Sequence, residues 1–562
     1  MKRSKREAEN RHRAKKAKRN FRGRDTAPEA MCAKIRLKSS ANPPTAVGGI
    51  QPTLFTLLFV IFIFTPCAFA QNPPVIRQPQ GAQAIQLPTS GRSGQSGTVT
   101  STQAPVPGTT NSVNTLNPAV LPQGPFTGSA NSAARMPFSG ALSLREAVER
   151  GIEYNLGAVG LTNGVLQSRG QKNVVRSALL PNLNASLSET VEQVNLQALG
   201  LRFQSPIPGF TIPTIVGPFN FFDLRATLTQ SVFDWTAWSN FRSAKAVLRS
   251  AEWSAEDAQD LVVLAVGGAY LQVIAAQARV DATRAQLETA NALYQQALQQ
   301  RAAGVIAQTD VNRSQVESLT QQQRLVTLQN DLAKQKINLA RLTGLPPNEQ
   351  YVLCDLLPFS PAPPISFDEA LRQAFERRAD LKAAEAQVKA AERARCAARA
   401  QRLPSLSISA DYGVIGTNPS QSHGTFAVVG TLSIPIWQGG RIKGDIEQAE
   451  AALAQRQAEL EDIRGRIESD VRNACLDLRA AASQVEVARK NIQVARQNLD
   501  LTRQRFTAGV SDNVEVVQAQ ESVANAELDY VNSVFAHNVA KLSLARAIGR
   551  AAENLPQFLK LQ

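Results

Sequence analysis

Few side chains in this 562-residue chain are equipped for covalent or metal chemistry, and none are spaced for it. Only His423 and His537 lie outside a basic N-terminal head. Cys354, Cys396 and Cys475 are widely separated, with no C-x-x-C pair and no ligand-like spacing, so they read as isolated thiols. Gly439-Gly440 follows Trp437 without the G-x-x-x-x-G-K pattern, and reads as a strand-to-helix break rather than a phosphate cradle. Neither an enzyme nor a metal or cofactor centre is expected. A different chemistry is offered at two matching turns, Arg301–Val311 and Arg505–Val516, which carry Gly304 with Asp310, and Gly509 with Asp512, Glu515 and Gln518. If several copies converge, Glu515 carboxylates focus field into a narrow opening and favour cations. The plainer reading is a solvated acid at a helix start, helped by the dipole. Trp235, Trp238 and Trp437 stand where strand-like segments end, as a membrane-interface girdle would.

These residues are positioned by one unit written twice. Leu142–Val148 matches Ile365–Leu371, and Leu180-Pro181-Asn182-Leu183 matches Leu403-Pro404-Ser405-Leu406, both 223 residues later. Leu228–Trp235 matches Leu432–Gly439 at 204, and Leu339–Gly344 matches Leu544–Gly549 at 205. The drop places a longer loop between the strands of the first half. Each half reads as short helix, helix, strand, loop, strand, very long helix, turn, helix.

Strict alternation defines the strands. One face of the second is Phe222, Leu224, Ala226, Leu228, Gln230 and Val232; the other is Asp223, Arg225, Thr227, Thr229 and Ser231. The third sets Leu406, Ile408, Ala410, Tyr412 and Val414 against Ser405, Ser407, Ser409, Asp411 and Gly413. The fourth sets Phe426, Val428, Gly430, Leu432, Ile434 and Ile436 against Thr425, Thr431 and Ser433, while the first lies near Leu183-Ala185-Leu187. An ordinary sheet with one wet face is the alternative to membrane strands. Four strands cannot close a barrel and hydrocarbon does not tolerate an open edge, so membrane strands require several chains in one barrel.

Proline is absent from Ala237 to Ala303 and from Ile442 to Ala508. Each run is about 100 Å long at helical rise. Val273, Ala276, Val280, Thr283, Leu287, Ala290, Tyr294 and Ala297 alternate spacings of three and four, as do Val485, Ala488, Ile492, Ala495, Leu499, Thr502 and Phe506. Heptads rich in alanine predict close supercoiled packing, with polar faces in water rather than lipid. Gly304 and Gly509 can end these helices at positive φ. Thr309, or Ser511 or Asp512, can cap the next. A soluble filamentous coiled coil fits the helices but leaves the strand pairs unexplained.

Charge is unevenly placed: residues 1–50 hold 15 basic and 4 acidic side chains, and the remainder is nearly balanced at 46 against 42. Leu54–Phe64 is an uncharged apolar core, closed by Ala68-Phe69-Ala70 before Gln71. That is the form of a signal peptide cleaved between Ala70 and Gln71. Translation from Met31 leaves Lys34, Arg36 and Lys38 as its n-region, so residues 1–30 are expected to lie outside the working protein, and no nucleic-acid partner is expected. Pro66 stands where a lipid anchor on Cys67 would want a small residue. Residues 71–137, rich in Pro, Gly, Ser and Thr, are expected to form a flexible leader. The expected organisation is 1–70 basic extension and signal, 71–137 leader, 138–350 first repeat, 351–364 linker, 365–550 second repeat and 551–562 tail.

The two Leu-Pro-x-Leu entries, the Arg505–Val516 turn and the paired Leu-Ala-Arg-x-x-Gly helix ends resemble the outer-membrane efflux channel, or TolC-like, family over roughly residues 138–550. The resemblance implies a mostly α protein with membrane β: a homotrimer giving four strands per chain to a twelve-stranded barrel, continued by a periplasmic α-helical coiled-coil barrel. It implies a passive exit duct in outer-membrane lipid for small molecules or polypeptides, partnered by a periplasmic adaptor and an inner-membrane pump, with no cofactor. Glu515 sits where that family commonly places a first entrance acid; Gln518 stands where some members have a second, and Ser511 where some have a latching arginine. Asp310 is then a cap-region acid on the outer hairpin, and either hairpin can meet an adaptor. A non-channel structural or adhesive trimeric envelope protein is the alternative.

Overall fold

The computed structural model describes residues 83–87, 97–106, 115–130, 138, 140–200, 213–355, 359–361, 365–508, 510, 513–549 and 551–559. Its two halves run in the expected order. The first contains α1 (Leu144–Tyr154), α2 (Leu156–Ser177), β4 (Asn182–Asn195), β5 (Ile215–Phe233), α3 (Trp235–Ala302) and α4 (Gln308–Thr343). The second contains α5 (Phe367–Arg377), α6 (Ala379–Ala400), β7 (Ser405–Gly416), β8 (His423–Ser433), α7 (Arg441–Thr507) and α8 (Asn513–Ile548).

Local chemistry is duplicated with the sequence. Both halves open on the same cap: Ser143 Oγ accepts from the Glu146 amide at 3.3 Å, and Ser366 Oγ accepts from that of Glu369 at 3.3 Å. Serine with glutamate three residues on is a capping-box signature. Each short helix then breaks at one extended residue, Asn155 (ψ 129) or Arg378 (ψ 127). Gly344 and Gly549 end α4 and α8 at φ +76 and +92, conformations that disfavour a Cβ. A Cβ on Gly344 would lie 2.9 Å from Tyr154 Cβ, and one on Gly549 3.0 Å from Arg378 N, so each glycine lets a helix end close onto the same break.

The long helices α3 and α7 span 68 and 67 residues. Their heptad positions are the packed ones: Val273, Ala276, Val280, Thr283, Ala290 and Ala297 are buried on α3, and Val485, Ala488, Ala495, Leu499 and Thr502 on α7. Alanine at these positions lets backbones approach closely; Ser243 on α3 donates to the Ala390 carbonyl of α6 at 2.9 Å. By length and composition α3 could cross a membrane, but its apolar stretch is mostly buried. Val262, Val266, Tyr270 and Ile274 pack there against α1, α8 and the N-terminal segment. Tyr270 Oη donates to Asp355 Oδ2 at 2.6 Å, which satisfies the buried hydroxyl.

The strands form one antiparallel sheet in the order β4-β5-β7-β8, so β5 and β7 join the two halves. β4 is longer than the Leu183–Leu187 signal, and β8 stops at Ser433, leaving Ile434 and Ile436 beyond the strand. Pro435 explains the stop, since it has no amide to donate to a ladder. His423 begins β8.

Two expectations need correction, the flexibility of the leader and the cap of α4. Of the flexible leader, the described parts are ordered: β1 (Val99–Val106) and β2 (Thr115–Pro122) pair antiparallel, and Val99 and Phe126 enter the core. Phe126 is 2% exposed and sits where a Cβ on Gly157 would be 2.3 Å away, so few apolar anchors hold a polar segment. The linker carries β6 (Val352–Leu353), parallel to β3 (Ala141–Leu142), and the tail carries α9 (Ala551–Phe558), with Ala551, Leu555 and Leu559 buried. Thr309 does not cap α4: the helix begins at Gln308 behind Ala307, which makes no side-chain cap.

Candidate functional site

The sheet separates its two faces completely along its middle. Leu183 pairs with Leu228, Leu187 with Leu224, Ala226 with Tyr412, and Tyr412 with Phe426, giving continuous apolar rows across four strands. These side chains are open to the surroundings; Leu183 is 71% and Phe426 78% exposed. Surface of this extent marks a partner or a membrane rather than water. The opposite face carries Asn184, Ser186 and Ser188 on β4, Asp223, Arg225, Thr227 and Thr229 on β5, and Ser407, Ser409 and Asp411 on β7.

Arg225 reaches across from β5 to pair with Asp411 on β7 and holds Asp223 at 3.3 Å. Gly413 lies directly opposite Arg225; a Cβ there would sit 3.1 Å from Arg225 Cβ, so its absence gives the arginine stem room to cross. Trp235 and Trp238 open α3 immediately after β5. Trp437, 86% exposed, lies between β8 and α7, at the same end of the sheet because Ser405 pairs with Ser433.

The other end of the long helices carries the two turns. Gly304 adopts φ +73 after α3, as a helix-ending glycine should. Asp310 lies in the first turn of α4 and pairs with Arg313 at 3.4 Å. Glu515 lies in the first turn of α8, and its Oε2 accepts from Arg505 at 3.2 Å, so this acid is bridged to the helix before its own turn. Gln518 is exposed one turn on. Gly509, Ser511 and Asp512 lie outside the described residues, as do Ala70, Gln71 and Cys67. Leu293 of α3 packs on the cluster of Leu499, Val516 and Ala519, so the two hairpins lie side by side.

Polar bridges fasten these hairpins, and the sequence reading missed them. Glu527 on α8 accepts from Gln286 of α3 at 3.1 Å and from Arg496 of α7 at 2.8 Å. Arg279 of α3 donates to Asn532 of α8 at 2.9 Å. Burial holds the Arg279 guanidinium below its usual pKa, and desolvation raises the carboxyls of Asp477 and Asp529. The available signal was position: Arg279 and Gln286 each precede a core residue of the heptad, Val280 and Leu287, where bridging side chains flank a seam.

A sheet with one exposed apolar face, joined to paired coils with charged tips, makes a wall. Comparison with known proteins decides what kind. The family model described as "Outer membrane efflux protein" matches residues 164–345 and 370–550, one segment in each half. The chain belongs to the outer membrane efflux protein family. "Outer membrane protein TolC" of Escherichia coli K12 is 24% identical over 396 residues, covering 68% of this chain and 77% of that one. The fold matches the outer membrane protein VceC of Vibrio cholerae with TM-score 0.61 and 19% identity, over 72% of this chain and 96% of that one. It matches the Campylobacter jejuni CmeC outer membrane channel with TM-score 0.63 and 16% identity, over 74% and 88%. This efflux protein is a subunit of an outer-membrane efflux or secretion channel, set in the outer membrane with a large periplasmic helical portion, and it is not an enzyme. It works within an envelope efflux system comprising an inner-membrane pump, an adaptor and the outer membrane.

Proposed function

We propose that three copies of this chain assemble into the exit duct. The carrying observation is the four-stranded sheet: β4 and β8 are unpaired on their outer sides among the described residues, while the middle of one face is apolar and open. Lipid-exposed edges cannot remain unsatisfied, so β8 of one copy pairs with β4 of the next and three sheets close a twelve-stranded barrel. The strands are membrane strands, their apolar face meets lipid, and their serine, threonine and ion-paired face lines the lumen. Trp235, Trp238 and Trp437 mark the periplasmic boundary of the hydrocarbon. The coils cross the periplasm, and the turns at Gly304, Asp310, Gly509, Asp512, Glu515 and Gln518 form the entrance and the adaptor contacts. Residues 1–70 are removed between Ala70 and Gln71, 71–137 and 551–562 dress the two repeats, 138–350 and 365–550, and 351–364 links them. Cargo is small molecules or polypeptides delivered by the pump.

Cysteines placed on the polar face of the two edges, Asn184→Cys on β4 and Ala427→Cys on β8, should give crosslinked trimers on oxidation, and purified protein should conduct ions in a planar bilayer. Conductance with no inter-chain crosslink would overturn the closure. A crosslinked trimer that never conducts would instead identify a structural tube.

A further inference from the structure

The buried heptad of α7 faces its own α8, and one residue ahead of it runs a second heptad that is open. Gln484, Val487, Asn491, Val494, Asn498 and Leu501 alternate spacings of three and four. Gln484 is half-buried, whereas Val487 is 66% exposed, Val494 62% and Leu501 58%. α4 carries a like stripe, Asn312, Val316, Leu319, Gln323, Val326 and Asn330, all exposed. Scattered surface valines need no explanation, but apolar residues repeated at heptad spacing and interleaved with amides form a coiled-coil seam. The heights of the two stripes follow from the chain itself. Ser318 of α4 donates to Asn291 of α3 at 2.5 Å, so those residues are level. α7 repeats α3 with a displacement of 205, and Leu293 of α3 packs on the cluster holding Leu499 of α7, so the two long helices hang at one height. α4 runs opposite to α7, which sets Asn491 level with Gln323, Gln484 with Asn330, Val487 with Val326 and Val494 with Leu319. Four successive layers thus match amide to amide and apolar to apolar. Nearer the tip the match fails, with Asn498 level with Val316 and Leu501 with Asn312.

Within the chain, the long helix of the first half takes the returning helix of the second: Arg279 and Gln286 of α3 bond Asn532 and Glu527 of α8. The repeat asks the same of α7 with an α4, but the α4 of its own chain is fastened to α3. We propose that the open stripe of α7 is the docking face for α4 of a second copy of this chain, sealed in the four matched layers from Gln484 to Val494. The seam continues the edge above it, because α7 descends from β8, the strand assigned to the neighbour's β4. The proposal rests on the reading that copies join into a duct, and adds which helices meet and in what register. Amides inside a seam favour the registers that keep them together. A slip of one heptad would also keep amides together, but it would shift α4 by about 10 Å along α7, against the heights set by Asn291 and Ser318. The two mismatched layers leave the last stretch of wall, next to Arg505 and Glu515, unsealed between copies.

The test is disulfide trapping of the full chain in membranes, with Cys354, Cys396 and Cys475 changed to serine. Val487→Cys with Val326→Cys should link copies into trimers on mild oxidation. The pair that a one-heptad slip would join, Val494→Cys with Val326→Cys, should react at least about tenfold more slowly, since about 10 Å is beyond disulfide reach. Leu501→Cys with Asn312→Cys, in the unsealed stretch, should be as slow. Trapping of either of these pairs as fast as the first overturns the proposal. Charge supplies a second readout. Gln323→Lys with Asn491→Lys puts two ammoniums in one layer and should lower the urea midpoint of the trimer, and Gln323→Lys with Asn491→Asp should restore it. Both positions are on the surface of the single chain, so equal midpoints for the two pairs also overturn the proposal. Asn184→Cys with Ala427→Cys, run alongside, separates the readings: barrel-edge links without the Val487–Val326 link sink only this seam, whereas loss of both sinks the assembly.

Discussion

Leu187 and Ser188 are neighbours in β4 that face opposite ways, and one substitution at each separates a membrane wall from a sheet standing in water. Leu187 is 67% exposed and pairs with Leu224; Ser188 pairs with Asp223 on the polar face. On this face of β4 the exposed apolar side chains Leu183 and Val191 lie equally far on either side of Leu187, with Glu189 the one charged residue among them. Nine residues span about 30 Å, or about 21 Å of depth at a 45° tilt, close to the apolar band of a membrane barrel. Leu187→Arg then places a charge within this band, costing up to about 2–4 kcal/mol per chain, less what Glu189 on the same face offsets. Ser188→Arg at the same depth faces the lumen and gains Asp223 as a partner, so its cost should be near zero. Urea titration of folding into lipid vesicles, read by heat-dependent mobility in detergent gels, measures both. Leu187→Arg should lose stability on this scale and Ser188→Arg none. Equal tolerance of the two would refute the facing, because an arginine on either face of a sheet in water is equally solvated.

Glu515→Gln should lower the cation preference of the channel in a planar bilayer and release Arg505; unchanged selectivity would remove Glu515 from the entrance. Phe126→Ala should cost about 3–5 kcal/mol through the cavity it leaves, and should expose residues 97–130 to limited proteolysis well before the coils are cut. Glu527→Ala removes the acceptor shared by Gln286 and Arg496 and should cost about 2–3 kcal/mol of hairpin docking, seen as faster amide exchange in α8; native exchange rates would show the bridges to be idle. Burial, with the nearby Lys541 charge, pushes the His537 pKa down to about 4. The unfolded chain therefore takes up the proton first, and the contribution of His537, intact above about pH 6.5, falls by about 3 kcal/mol as pH drops to about 4. His537→Leu should accordingly lose less melting temperature than the native chain over that interval.

Periodicity explains what the sequence made legible. Alternation at two residues carries facing directly, so Leu224, Leu228, Tyr412 and Phe426 could be assigned to one side before any coordinates. Spacings of three and four carry burial in the same way, and Val280, Ala290, Val485 and Leu499 are buried as their pattern requires. The unread features are those with no period. Phe126 anchors a polar segment because Gly157, distant in the fold's own logic, leaves a hollow for its ring. The Glu527 bridges depend on how α3, α7 and α8 are rotated about their axes, and a heptad fixes the seam without naming the pairs beside it.

The duplication sharpens this distinction, because the two halves keep one backbone while changing what fastens it. Asn155 and Arg378 occupy the same break, with ψ values of 129 and 127, and each is closed over by a left-handed glycine. Asn155 secures its break locally, its side chain accepting from the Gly157 amide at 2.9 Å and donating to the Phe126 carbonyl at 3.0 Å. Arg378 secures the other at longer range, with Asp380 at 2.7 Å and Asp470 of α7 at 3.0 Å. The neutral cap ties the first half to the N-terminal segment; the ionic one ties the second half to its own long helix. Removing a partner from a buried ion pair strands a charge, whereas removing a neutral cap leaves one unmet amide. The second break is therefore the stiffer joint, and it meets α7 at Asp470, near the middle of that helix, whose far end carries Arg505. The firmer of the two clamps thus belongs to the half whose hairpin carries Arg505 and Glu515.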